Sequence, residues 1–361
     1  MFEFVDRIGG DELNRPVDYN VLIVRNRPTI ADVARLCGVT PATVSRVLNR
    51  KKHFSTSEAV REKIFDTARK LGYVPDLAAR NLNRRSTRII GIFSAPHTSF
   101  TWGINQSLLE GAAGVLHAEG YDVFFEVSSP LKVDHALPFW KFDGAVLFQS
   151  PKREIIGELD NRRVPYVCVN ERLGSPVANV LADDVMGVKL VVKHLAELGH
   201  RRLAYANARS QYHPHYSVVE RHETLLEESR NLGGQVVAGH DAPFDDAEQF
   251  LRRSVIESGA TAVVTYDHTI AVTVLGAAVR LGLRVPQDFS VVCFNDEFPT
   301  SAIAPSLTAV AVSGKEMGRI GAETLLKNLA TGQVPPTRVI RVPETLHVRE
   351  STGPAPRGKP A

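Results

Sequence analysis

Apolar positions recur with two periods along this chain, and the change from one to the other divides it. In the run TIADVARLCGVTPATVSRVLN, residues 29–49, Ile30, Val33, Ala34 and Cys37 fall on one helical stripe. Thr29 precedes the stripe with Asp32 three residues on, the spacing of a capping box that satisfies two orphan donors at a helix start. Gly38 stops this helix. Thr40 can cap a second one, with Pro41 at its first position, where a missing N–H costs nothing. Val44, Val47 and Leu48 face back onto the first helix, so Pro41, Ala42, Thr43, Ser45, Arg46 and Asn49 face outward. Val60, Ile64, Ala68 and Leu71 make a third stripe, with a capping-box spacing at Ser55 and Glu58 and a stop at Gly72. The segment Asp76 to Leu82 spells one or two helical turns, too short to hold without a partner.

From Ile89 onward, short apolar runs alternate with helical stripes. Strands are expected at Ile89–Phe93, Tyr121–Val127, Asp143–Phe148, Tyr166–Val169, Arg202–Ala206, Gln235–Val237, Ala262–Thr265 and Ser290–Phe294. Helices are expected at Leu108–Gly120, Val185–Gly199, Val219–Leu232, Ala247–Gly259 and Thr269–Leu281. Leu307–Val312, a helix Lys315–Ala330 and one extended segment Val339–Val348 complete the series. This alternation predicts an α/β fold with parallel sheets. The strands are too many for one sheet of ordinary size, which favours two similar doubly wound subdomains with a cleft between them. Residues 1–27 show no sustained period and are expected to be a flexible extension or a start placed too far upstream, with Val24 or Val21 as the true start. The tail GPAPRGKPA, 353–361, is expected to be disordered.

Two short helices joined by a Gly-containing turn are the pattern of a helix-turn-helix, whose second helix enters the DNA major groove. A helical hairpin from some other small domain has the same local pattern, and charge separates the two readings. Residues 28–88 hold thirteen Lys and Arg against five Asp and Glu, a balance of +8; the whole chain carries +3, so the remainder carries −5. A basic head on a mildly acidic body is the footprint of a nucleic-acid-binding module joined to something else. Cys37, Cys168 and Cys293 each lie in an apolar run and read as buried thiols, not as a disulfide framework or metal site. No run approaches the ~18 apolar residues needed to span a bilayer and no secretory signal is visible, so a cytoplasmic protein without a membrane partner is expected.

The run TIADVARLCGVTPATVSRVLN, followed by REKIFDTARKLGYVPDLAARNL, closely resembles the start of the LacI/GalR family of bacterial transcription regulators. The resemblance continues through FDGAVLF at Phe142–Phe148, HLAELGHRRLAY at His194–Tyr205, GLRVPQDFSVVCFND at Gly282–Asp296, PSLTAV at Pro305–Val310 and LHVREST at Leu346–Thr352. It implies a helix-turn-helix domain over 28–75, a hinge helix and linker over 76–88, and an effector-binding and dimerisation domain over 89–352. That last domain is similar to periplasmic sugar-binding proteins. The implied partners are a near-palindromic operator DNA, a small-molecule effector and a second copy of the chain.

Arg46 is the foremost base-reading candidate, since Arg pairs bidentately with guanine O6 and N7; a phosphate clamp is the alternative. Pro41 and Ala42 stand where the resemblance places operator choice, and small apolar groups can meet a thymine methyl. Thr29, Thr43, Ser45 and Asn49 are expected on phosphates. The resemblance makes Leu82, with Ala79 and Arg80, a minor-groove wedge; a linker leucine packed on its own domain is the bland reading. For the effector it points to Ser94, Trp102, Arg221, Asp267, His268, Asn295 and Asp296. Several of these depart from the family pattern: Thr224 replaces the usual Gly, Asp267-His268 the usual Asn-Asp, and SAPHTSFTW, 94–102, the usual first loop. Trp102 could equally be a core residue. The set suits a sugar or sugar derivative, with a nucleobase as the alternative, and Arg221→Ala is expected to abolish the ligand response while leaving a folded dimer. Asp267 and His268 could pose as a catalytic dyad. With no nucleophile motif, phosphate loop or metal spacing beside them, no enzyme, cofactor or metal is expected.

Overall fold

The structure, a computed structural model, describes residues 28–48, 54–73, 86–94, 103–127, 142–148, 153–174, 177–208, 215–239, 241, 243–332 and 338–356. The chain divides into two compact units, one ending at Arg85 and the other beginning at Ser86.

The first unit is built from α1 (Ile30–Cys37), α2 (Pro41–Leu48) and α3 (Glu58–Leu71). Thr29 and Asp32 form the expected capping box, with the Asp32 carboxylate accepting from the Thr29 backbone N–H at 2.9 Å. Gly38 closes α1 at φ 73°, a left-handed turn that a Cβ would strain. The Thr40 hydroxyl accepts from the Thr43 N–H at the start of α2. Before α3 the structure corrects the sequence reading: the cap is Ser57, which accepts from Val60 N–H, not Ser55. The helix begins two residues later than a Ser55 box allows, and a cap must directly precede the first turn. Val33, Ala34, Cys37, Val44, Val47, Ile64 and Ala68 close into one buried core.

The second unit holds two six-stranded sheets. The first contains β1 (Ile89–Ser94), β2 (Asp122–Val127), β3 (Gly144–Phe148), β4 (Tyr166–Val169), β5 (Ala178–Ala182) and β11 (Arg338–Val342), in the order β11-β5-β4-β3-β1-β2, all parallel. The second contains β6 (Arg202–Ala206), β7 (Gln235–Ala238), β8 (Ala262–Thr265), β9 (Ser290–Phe294), β10 (Thr308–Ala311) and β12 (Thr345–His347), ordered β12-β10-β9-β8-β6-β7, with only β12 antiparallel. Helices α4 (Ile104–Ala118), α5 (Arg153–Asn161) and α10 (Gly314–Thr331) accompany the first sheet; α6 (Asp184–Glu197), α7 (Tyr216–Asn231), α8 (Ala247–Leu251, continued as a π turn to Glu257) and α9 (His268–Arg280) accompany the second. Wholly buried strands such as GAVLF and SVVCF reflect helices covering both faces of a parallel sheet.

Three expectations need correction, and two elements, α5 and β5, lie outside the pattern, because α5 is short and ANVLA carries a polar Asn in an apolar run. Val339–Val348 is not one segment: it breaks at Pro343-Glu344, and its halves join different sheets. The tail is ordered through its first residues, where Gly353 accepts from His200 and donates to Ser290, and Ala355 N–H donates to Leu198. The linker's last residues also belong to the core, because Asp143 accepts from Ser86, Thr87 and Arg88. The expected extension 1–27, the hinge-helix segment and the loop 95–102 lie outside the described residues.

α4 and α10 cross with their backbones in contact. A Cβ added at Gly111 would strike the Lys315 carbonyl, and one at Gly318 the Leu108 carbonyl. Gly318→Ala is therefore expected to lower stability by ~1–3 kcal/mol through overpacking, read as a fall in the urea midpoint. An unchanged midpoint would show that the crossing relaxes freely.

Candidate functional site

In the first unit, α2 presents Pro41, Ala42 and Arg46 as exposed residues, with Thr43 and Ser45 half-exposed. The Arg46 guanidinium lies 5.3 Å from the centre of the Phe54 ring, so the aromatic face steadies it without neutralising it. Thr29 and Thr43 are engaged locally, in the α1 cap and with Thr40 respectively. Asn49, Ala79, Arg80 and Leu82 lie outside the described residues. The outward set on α2 thus combines two small apolar groups and two hydroxyls with one fixed charge, Arg46.

In the second unit, the candidates gather where β8 and β9 end and α7 and α9 begin. Arg221, from the second turn of α7, is buried. Its Nε donates to Asp184 Oδ1 at 2.5 Å, its Nη1 to the Tyr266 carbonyl at 2.7 Å and its Nη2 to Asn295 Oδ1 at 3.4 Å. The guanidinium lies 4.2 Å from the Phe294 ring centre and 4.0 Å from Glu344. Burial works against its charge, but Asp184 and Glu344 outweigh that and raise its pKa further. Asn295 is held at φ 62°, a left-handed conformation to which Asn is better suited than most residues. Asp267 caps α9, accepting from Ile270 N–H and the Thr269 hydroxyl. His268 follows it, half-buried, with Nδ1 unpartnered and its pKa lowered by burial, although Asp267 and Asp296 oppose the shift.

Asp296 is occupied differently. Arg349 grips both its oxygens at 2.6–2.7 Å, and Thr300 and His347 add hydrogen bonds of 2.6 Å. Burial alone would raise its pKa, yet these bonds hold it at about 2. Ser94 ends β1 as a buried residue, and Trp102 lies outside the described residues. Structure therefore brings Arg221, Asp267, His268 and Asn295 together, and sets Asp296 as a brace between the end of β9 and the segment after β12.

Sequence reasoning missed the groups that hold this arrangement across the two sheets. His215 Nε2 reaches the Asn170 carbonyl at 2.5 Å, and Ala182 N–H donates to the Tyr216 hydroxyl at 3.0 Å. Glu220 accepts from Arg341 at 2.6 and 2.7 Å and from Arg172 at 2.8 Å. The N-terminal half of α7 is thus the second sheet's grip on the first. No spacing signals it, because Asn170, Arg172, Ala182 and Arg341 lie far from α7 in sequence.

Residues 29–76 match the model of bacterial regulatory proteins of the lacI family, and residues 192–352 match that of the periplasmic binding protein-like domain. The chain is 30% identical over 354 residues to an HTH-type transcriptional regulator from the aml 5′ region of Streptomyces limosus, covering 90% of this chain and 94% of that one. Among solved structures, it is similar to the transcriptional regulator CelR in complex with cellobiose, at 25% identity and TM-score 0.63, covering 90% of this chain and 100% of that one. It also resembles the Lac repressor dimer bound to operator and an anti-inducer, at 22% identity and TM-score 0.76, covering 90% of this chain and 99% of that one, a likeness of fold.

Proposed function

The chain belongs to the LacI family of bacterial regulatory proteins, as a DNA-binding transcription regulator, and we propose that it is a cytoplasmic repressor whose operator affinity is set by a sugar or sugar derivative bound in its core. The observation that carries this reading is the pairing of an exposed, singly charged recognition face on α2 with a polar constellation at the strand ends of a binding-protein-like unit. Ligands of open α/β sheets bind at the carboxyl ends of strands. There Asp267, His268 and Asn295 offer acceptors and a ring nitrogen to hydroxyl groups, while Arg221 and Asp296 brace them; Ser94, at the end of β1, and Trp102 are the further residues assigned to the ligand. The cellobiose complex of the similar CelR supports a sugar over a nucleobase.

On DNA, Arg46 reads a guanine, Pro41 and Ala42 contact neighbouring base edges, and Thr29, Thr43, Ser45 and Asn49 set the register on phosphates. Leu82, with Ala79 and Arg80, wedges the minor groove. The chain acts as a homodimer on a near-palindromic site, because two-fold protein symmetry is met by two half-sites. The working divisions are the DNA-binding domain at 28–75, the hinge from 76 to 85 and the effector domain from Ser86 on. The ligand must prefer one arrangement of the subdomains, or it cannot shift DNA affinity.

Selection of DNA from a random pool, followed by titration of the enriched duplex with cellobiose, ribose, glucose and adenine, tests both halves. No enriched sequence would overturn the DNA reading; a response to adenine alone would overturn the sugar. Arg46→Ala is expected to cost ~1–3 kcal/mol on the selected duplex and to relax preference at one base pair per half-site. A uniform loss across all sequences would reassign Arg46 to phosphate.

A further inference from the structure

Three connections pass between the two sheets, and they lie side by side. The first is Asp183, between β5 and α6; the second is Val312-Ser313, between β10 and α10; the third is Pro343-Glu344, between β11 and β12. Asp183 N–H donates to the Val342 carbonyl at 2.9 Å, and the Ser313 hydroxyl reaches the Pro343 carbonyl at 3.4 Å. Any opening or closing of the subdomains must bend this bundle.

Glu344 sits in it, with no exposed surface, and neither carboxyl oxygen has a hydrogen-bond donor. It presses on α6 at Gly187, where an added Cβ would strike Glu344 Oε2. The charged and titratable groups facing it are Arg221 and Tyr216 of α7 and Asp183 and Asp184 at the start of α6; β9 contributes the apolar Phe294 ring beside the same spot. Arg221 is already bound by Asp184, so two wholly buried carboxylates share one cation. A second buried negative charge there has only Arg221 at 4.0 Å, already engaged by Asp184, and an ionised carboxylate without hydrogen-bond donors is among the costliest groups to bury.

We propose that Glu344 is a proton-carrying hinge residue: its carboxyl keeps its proton in the subdomain arrangement seen here and releases it to water when the connections open. The proton passes between the carboxyl oxygen and bulk water, leaving a carboxylate that only a solvated hinge can hold. As a regulatory device this rests on the ligand-controlled reading above, but the movement itself needs neither ligand nor DNA. Burial, reinforced by Asp184 and opposed by Arg221, pushes the Glu344 pKa from 4.5 up to about 8. The group binds its proton more tightly in this arrangement, so its contribution is full below pH 4.5 and is lost as pH rises towards 8. Across that window the ratio of this arrangement to an opened one falls by up to about tenfold per pH unit.

The test uses full-length protein with nitroxide labels at Glu154→Cys on α5 and Arg253→Cys after α8, both exposed sites, one on each side of the connections. The native Cys37, Cys168 and Cys293 are buried. Labelled protein is diluted with unlabelled protein so that distances within one chain are read by pulsed electron resonance from pH 4.5 to 9. The distribution is expected to shift to a second distance as pH rises in the otherwise native protein. Glu344→Gln, which mimics the protonated group, is expected to stay at the low-pH distance throughout, and Glu344→Met serves in its place should the amide fail to fold. A distribution independent of pH in the native protein, or the same shift in the neutral variants, would overturn the proposal. Either result leaves the DNA and sugar readings standing.

Discussion

Arg221→Ala is expected to lower unfolding stability by on the order of 3–5 kcal/mol, the cost of leaving a buried charge without its partner. Asp184 is wholly buried and bonded to the Arg221 Nε at 2.5 Å, and its other oxygen has no donor. Removing the guanidinium strands that carboxylate, frees the Tyr266 carbonyl and Asn295, and empties a volume packed on Phe294. The sequence alone suggests a folded variant that merely ignores its ligand; burial overrides that expectation. Urea unfolding measures the loss, and a cost under about 1 kcal/mol would refute the ion cluster as a stabilising unit. The triple variant R221M/D184N/E344Q is expected to recover most of the loss, because a neutral, volume-matched core replaces a broken ion cluster at little cost.

Arg349→Ala is expected to cost on the order of 3 kcal/mol, since Arg349 is the cation on a nearly buried Asp296 and also donates to the Leu307 carbonyl. Three segments meet there: the turn after β9, the approach to β10 and the strand-end of β12. The pH dependence has a definite sign. Asp296 is held at about 2, below its ordinary 3.8, so its contribution is present above pH 3.8 and is lost as pH falls towards 2. Arg349→Ala should therefore be most destabilised relative to the native chain at neutral pH, with the gap narrowing in that acid window. Thermal melts from pH 2 to 7 decide it; a gap that stays constant would mean Arg349 acts through packing alone.

Where local chemistry suffices, sequence and structure coincide. Thr29 with Asp32, Pro41 and Gly38 determine α1, its stop and the start of α2 within a few residues of chain, and period-3.6 stripes select the same core residues that pack. The buried strands Tyr166–Val169, Arg202–Ala206, Ala262–Thr265 and Ser290–Phe294 are legible to the residue, because a strand covered on both faces is a continuous apolar run. Ser55 misleads as a cap for α3 because three serine or threonine residues stand in a row before the helix, and only backbone geometry selects Ser57.

The site is legible as residue types and not as roles. Arg221, Asp267, His268, Asn295 and Asp296 do converge at one end of the second sheet, but which of them faces outward depends on partners distant in the chain. Asp184, Glu220, Arg341, Glu344 and Arg349 each look like ordinary surface charges in sequence. Asp184 is paired by α7 packing on α6, and Glu220, Arg341, Glu344 and Arg349 take their roles because β11 returns to the first sheet and β12 to the second, carrying Pro343-Glu344 between them. Periodicity reports what one segment buries; it carries no information on which other segment will supply the opposite charge, and in a low-dielectric interior that pairing decides whether a charge braces, titrates or binds.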